Sequence, residues 1–314
     1  MSNCYFELQI QLELRTAEDS VTSRQEATAD RLLRSTAARS YDPELDIDWS
    51  APLEPGKGYM LEHRVSLYGT PLWDQLSPEQ RLELGKHEAA SVASTGIWLE
   101  IMLMRILAKL AYQGDPASRH VQYALAELAE ECRHTTMFAR MIEHMGTPVY
   151  GPPPRIRALG KRLPEYARGP VIWAAILIGE EIPDRFQREL TAADSIQPLM
   201  RMVTRIHILE EARHISFARD ELPRSVAATS RAELMVQRAI IGRFASIVSR
   251  SLISPEVYRA VGLDPRAARA VALANPHYRE SLRYGGEKLV AFLSENGLIG
   301  APGMYWWRRS FLLG

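Results

Sequence analysis

Glu130-Glu131-Cys132-Arg133-His134 and Glu210-Glu211-Ala212-Arg213-His214 spell one five-residue pattern twice. On a helix, a glutamate and a histidine three residues apart share a face and can reach one metal ion. One such pair is weak evidence. With 8 histidines in 314 residues, about one acidic-x-x-His arises by chance. Two copies of Glu-Glu-x-Arg-His are far harder to obtain that way. The plain alternative is two surface helices with salt-bridged Glu-Arg-His faces, which leaves the flanking sequence unexplained.

Glu100 precedes Glu131 by 131 − 100 = 31 residues, and Glu180 precedes Glu211 by 211 − 180 = 31. Glu100 lies within Trp98-Leu99-Glu100-Ile101-Met102, and Glu180 follows Ile176-Leu177-Ile178-Gly179. An ionised carboxylate among such residues is costly unless paired or metal-bound. Each half therefore reads as a helical hairpin, with a carboxylate on its first helix and Glu-x-x-His on its second. Two such hairpins make a di-metal carboxylate bundle. Glu180 is preferred to Glu181 because it reproduces the spacing, leaving Glu181 as a neighbouring polar contact. His207 stands four residues before Glu211 and seven before His214, on the same helix face, and is expected as a third histidine ligand. Glu130 and Glu210 are expected to bond the histidine of the opposite hairpin, Glu130 with His214 and Glu210 with His134. Arg133 and Arg213 then complete those networks.

Working outward, Ser77-Pro78-Glu79 opens a helix that runs to about Tyr112. Further helices are expected at about 117–145, 170–191, 195–222 and 226–251, and one or two polar helices at 5–38. Residues 41–57 read as an extended linker and 146–168 as a basic, proline-rich loop. No segment shows strand alternation, so the fold class is all-α: a ferritin-like four-helix bundle with extra N- and C-terminal helices. The expected organisation is a helical extension and linker over 1–57, a bundle core over 58–251, and a helical tail over 252–314 that packs on the core, one domain overall. The end of the tail, Trp306-Trp307-Arg308-Arg309, is expected to dock on its own bundle or a second subunit rather than on a membrane. Pro183 implies a bend beside the site or a helix end, and Cys132 reads as a small buried residue. Gly96, one turn before Glu100, implies room for substrate or close helix packing.

Composition excludes some function classes. Lys plus Arg equals Asp plus Glu at 38 each, so no net field gathers nucleic acid. Cys4 and Cys132 form no disulfide framework, which suits a reducing cytoplasm. The first residues, with Glu7, Glu13 and Glu18, lack a targeting pattern. The apolar stretch from Ala89 to Ala111 is interrupted by Glu100, Arg105 and Lys109, which indicates an interior helix instead of a membrane span.

The seven residues Glu100, Glu131, His134, Glu180, His207, Glu211 and His214 match the ligand pattern of the AurF-like p-aminobenzoate N-oxygenase family. The resemblance covers roughly residues 65–225, and its specific part is the His-x-x-x-Glu-x-x-His element. It implies two iron ions (manganese being the alternative metal) that activate dioxygen to oxidise a small organic substrate, with N-oxygenation of an aryl amine as the family example. It also implies an external electron donor such as a ferredoxin or flavin reductase, and a cytoplasmic homodimer. The substrate itself does not carry over. Fatty-acyl desaturases and hydroxylases share the paired Glu-x-x-His but lack the extra histidine. A ribonucleotide reductase radical subunit has a tyrosine four residues after its first histidine, where this chain has Phe138. A ferroxidase-type iron-binding protein is the rival outside catalysis, though storage cages use shorter chains.

Overall fold

The computed structural model describes residues 23–313. The expected helical segment before residue 23, with Cys4, Glu7, Glu13 and Glu18, lies outside the described residues. Helix α1 covers residues 23–38 and is followed by two short helices, α2 (Pro43–Asp46) and α3 (Pro71–Asp74). The bundle is α4 (Pro78–Gln113), α5 (Arg119–His144), α7 (Pro170–Ala192) and α8 (Pro198–Ala227), with α6 (Pro154–Tyr166) in the long connection between the hairpins. Helices α9 (Arg231–Ser251), α10 (Pro265–Ala274), α11 (Pro276–Glu295) and α12 (Met304–Ser310) complete the chain. There is no strand among the described residues; Gly58 and Ile196 form one isolated bridge.

Local chemistry sets most helix starts. Ser77 accepts from the backbone of Gln80 while the Gln80 side chain returns to the Ser77 N–H, a capping box, with Pro78 in the first turn. Ser118 caps α5 by accepting from the Val121 N–H, and Ser230 caps α9 by accepting from the Glu233 N–H, without the reciprocal bond. The connections at 114–118 and 193–197 are short, so α4 with α5 and α7 with α8 form two tightly packed hairpins. Helix α5 packs against α8 across the bundle, which brings the two Glu-x-x-His faces together. Helix α11 covers α7, and α12 lies on α9.

Three expectations need correction. Residues 154–166 of the supposed loop form α6, because a proline in the first turn starts a helix and Ile156, Gly160 and Leu163 keep its inner face continuous. Three α4 contacts hold its C-terminal end: Lys109 Nζ donates to the carbonyls of Pro164, Glu165 and Ala167 at 3.3, 2.9 and 3.2 Å. Helix α8 continues past Leu222, and through Pro223, to Ala227. Its start moves to Pro198 because the preceding residues pin the linker: Gly58 N–H donates to Ser195 O, and Gln197 N–H to Gly58 O, both at 2.9 Å. Of the two readings left open for Pro183, the helix end is excluded, since α7 runs on to Ala192 as its expected span of 170–191 required. Cys132 is exposed rather than buried, one residue off the inward stripe that carries Glu131 and His134.

The end of the tail docks on α9 of its own chain. Trp307 is fully buried, and Gly242 on α9 leaves its space: a Cβ there would lie 3.1 Å from the Trp307 ring. Residues 252–253 and 278–282 reach back to the bundle, where they wall the cavity described below.

Candidate metal centre

Three overlapping groups of buried side chains meet inside the bundle. They are Glu131, His134, Glu211 and His214; Glu100, His134 and His207; and Glu180, His207 and Glu211, with the donor atoms of each group within 4.8 Å of one another. Every one of the seven residues singled out in the sequence is present. Glu100 comes from α4, Glu131 and His134 from α5, Glu180 from α7, and His207, Glu211 and His214 from α8. None is more than 5% exposed.

The imidazoles are oriented from behind. His134 Nε2–H donates to Glu210 Oε2 and His214 Nε2–H to Glu130 Oε2, each at 2.8 Å, so each hairpin holds the histidine of the other. Arg213 Nη2 donates to Glu130 Oε1 at 2.6 Å, and Arg133 Nη2 lies 3.8 Å from Glu210 Oε1. These carboxylates only accept, which assigns the proton to Nε2 and turns the Nδ1 lone pairs inward. His207 is reversed: its Nδ1–H donates to Gln187 Oε1 at 2.7 Å, and Nε2 faces Glu100 Oε1 at 3.4 Å and Glu211 Oε1 at 3.5 Å.

The inward atoms lack partners of their own. Both oxygens of Glu131, Glu211 Oε1, His134 Nδ1 and His207 Nε2 are buried without a hydrogen bond. His214 Nδ1 lies 2.9 Å from Glu131 Oε1 and 3.0 Å from Glu211 Oε2. A proton on Nδ1 makes these contacts hydrogen bonds; with the proton on Nε2 alone, the facing lone pairs repel unless a cation lies between them. Ionisation in the metal-free chain shows the same demand. Burial pushes Glu100 up, and burial together with Glu211, Glu131 and Glu100 pushes Glu180 well above the usual carboxylate range. Burial alone would lower His134 and His214, yet the surrounding glutamates raise both far above an ordinary histidine. Protons thus do what divalent cations would do better. Four inward carboxylates carry a formal −4, the charge that two divalent ions cancel. Carboxylate and imidazole donors suit iron, manganese or zinc. The residues fit a two-metal site.

Sequence reasoning missed several supporting residues. Gln187 orients His207 and lies seven residues after Glu180, on its helix face. Thr135 Oγ1 donates to Glu100 Oε2 at 2.9 Å. Glu127, one turn before Glu131, is fully buried with neither oxygen bonded, and burial pushes its carboxyl up to about 8. Its four-residue offset from Glu131 was the available signal. Glu181 takes the polar role expected of it, binding Arg219 of α8 through both oxygens.

A cavity of about 140 Å³ opens against Glu100, Glu180 and His207. Its walls are mostly apolar: Ala93, Gly96, Leu99 and Phe138 on one side, Ile182, Phe186, Met200 and Val203 on the other. Gly96 therefore faces the cavity, and a Cβ there would meet the Phe138 ring at 3.7 Å, ordinary contact. Leu99 also lines a second, larger cleft of about 880 Å³ between α4, α6 and α9.

Comparison with known proteins agrees with this geometry. Two uncharacterized proteins of Mycobacterium tuberculosis, Rv0885 (strain H37Rv) and MT0908 (strain CDC 1551), and the uncharacterized Mb0909 of Mycobacterium bovis are each 32% identical to this chain over 244 residues. Those residues are 75% of this chain and 69% of each relative. The family model described as P-aminobenzoate N-oxygenase AurF matches residues 22–297. With most of its length matched and its buried glutamates and histidines gathered in one site, the chain belongs to the p-aminobenzoate N-oxygenase AurF family.

Proposed function

We propose that the protein is a non-haem di-iron oxygenase that oxidises a small organic substrate, an aryl amine in the first instance, with dioxygen. The observation that carries this reading is the set of unpartnered inward atoms on Glu131, His134, His207 and Glu211 beside an apolar cavity. Glu100, Glu131, His134, Glu180, His207, Glu211 and His214 would hold two iron ions, with manganese as the alternative metal. When bound, adjacent ferrous ions supply electrons to dioxygen.

The chain's own residues do the rest. Glu130 and Glu210 keep the Nε2 protons of His214 and His134 in place, so Nδ1 stays free to donate its lone pair. Gln187 does the same for His207 through the other ring nitrogen. Leu99, Phe138, Phe186 and Val203 keep water from the substrate side of the cluster. Overall, an amine gains one oxygen atom to become a hydroxylamine and the second oxygen leaves as water. Two electrons and two protons come from an external reductant, a ferredoxin or flavin reductase. We place the protein in the cytoplasm as a homodimer.

Protein produced with sufficient iron should carry about two irons per chain, the number its donor set accommodates. Glu131→Ala and Glu211→Ala should each lose most of that iron. With a reductant and isotopically labelled dioxygen, an aryl amine should yield a labelled hydroxylamine. Full iron occupancy in both variants removes the metal assignment. Iron oxidation to a mineral, with no labelled product, replaces the oxygenase with a storage protein.

A further inference from the structure

Among the described residues, one arginine or lysine lines the cavity. It is Arg64, at the end of the 3₁₀ turn Glu62–Arg64. Three of its five N–H donors are committed within the protein. Nε donates to Glu189 Oε2 and Nη2 to Glu189 Oε1, both at 2.9 Å, a bidentate pair, and Nη1 donates to Ser281 Oγ at 3.1 Å. The Tyr284 ring stacks on it at 4.4 Å. Burial would raise the Glu189 carboxyl, but hydrogen bonds from Arg64 and Tyr284 outweigh it and hold Glu189 below the usual range. The pair is thus ionised at neutral pH and sums to zero charge.

The other ionisable groups on the wall are Glu100, Glu180 and His207, which belong to the metal cluster, and the phenols Tyr59 and Tyr278. Burial raises both phenols, so they stay neutral. Gln187 is engaged by His207, and Thr204 donates to the Met200 carbonyl at 2.8 Å. Among the described residues, no unneutralised arginine or lysine lines the cavity. Size agrees with a small guest: an apolar interior cavity of about 150 Å³ takes benzene, and this one is about 140 Å³.

We infer that the cavity receives an uncharged, single-ring aryl amine, and that Glu189, by neutralising Arg64, excludes aryl carboxylates, para-aminobenzoate included. This rests on the oxygenase reading of the same site for what becomes of the ligand, not for whether it binds. Glu189 is a specificity residue that acts through Arg64.

The test is calorimetric titration of the purified, metal-loaded protein with aniline, para-aminobenzamide and para-aminobenzoate, with iron per chain measured on the same samples. The amide matches the acid in size, so charge is separated from fit. Aniline and the amide should bind alike, and the acid more weakly by about tenfold or more, as expected for a carboxylate facing a neutralised guanidinium. Glu189→Gln frees Arg64 and should close that gap while aniline binding persists, which also shows that the variant is folded. Acid binding in the wild type equal to the amide overturns the inference. So does a Glu189→Gln protein that binds aniline but gains nothing for the acid. Rejection of both para-substituted ligands overturns it too, by making size the filter. Protein that takes up no iron on loading yet prefers the amide keeps the inference and removes the oxygenase reading; iron-loaded protein without discrimination does the reverse.

Discussion

Replacing Glu130 by Gln tests whether the outer carboxylates govern the metal site. Glu130 is 1% exposed and accepts two bonds, from His214 Nε2 at 2.8 Å and Arg213 Nη2 at 2.6 Å. Burial would raise its carboxyl, but the bonds to His214 and Arg213 hold it below the usual range, so it is an anion. A glutamine keeps the shape but offers one oxygen, and its amide N–H groups must face one of the two donors. If Arg213 keeps the oxygen, His214 Nε2–H is left against a donor, at about 1–3 kcal/mol for a buried unsatisfied group. The imidazole relieves that by moving its proton to Nδ1, which removes the lone pair aimed at Glu131 and Glu211. Loss of such an orienting carboxylate lowers metal affinity by about 10–100-fold. Full loss of a buried partner costs about 3–5 kcal/mol. The cost here falls short of that, because Glu210 also lies 3.6 Å from Arg213. The assay is competition for ferrous or zinc ions against a chelator, with thermal unfolding of the metal-free protein alongside. Glu143→Gln, on an exposed position of α5, is the control. A folded Glu130→Gln protein with the affinity of wild type would refute the reasoning and reduce the crossed Glu–His bonds to packing.

Three further outcomes follow from the same structure. Glu88 is fully buried, bonded to the Ser66 N–H and hydroxyl, and burial moves its carboxyl from 4.5 to about 7. The native state therefore binds more protons than the unfolded chain between those values. Stability falls as pH rises across that window, by about 3 kcal/mol in all, and Glu88→Gln should flatten the decline in denaturant titrations at about pH 5 and about pH 8. Two glycines should respond with opposite signs in chemical denaturation. A Cβ on Gly285 would lie 2.7 Å from the Phe186 ring, so Gly285→Ala should cost about 1–3 kcal/mol and push Phe186 into the cavity. Gly96→Ala meets only ordinary contacts and should gain about 0.5–1 kcal/mol from better helix propensity, while narrowing the cavity. His207→Ala should keep the fold and lower iron from two per chain toward one. Unchanged iron content returns His207 to a packing role.

The paired Glu-Glu-x-Arg-His elements and the equal spacing to Glu100 and Glu180 made the helical hairpins and all seven inward residues legible, because helix periodicity places residues three, four and seven apart on one face. Capping chemistry at Ser77 made the start of α4 legible for a similarly local reason. Helix α6 was obscured because prolines at 152–154 serve equally in a loop and in a first helical turn. Exposure of Cys132 was lost because only the three-dimensional stripe, not its neighbour Glu131, decides which way it faces. The partnerships of Arg64 with Glu189, of Gln187 with His207, and of residues 278–282 with the cavity wall join segments 125, 20 and roughly 180 residues apart. Local rules carry no information across such distances. Sequence alone therefore determined which groups converge on the centre, since one helix face carries each set. Tertiary packing decided the cavity's size and charge, since those depend on which distant side chains neutralise one another.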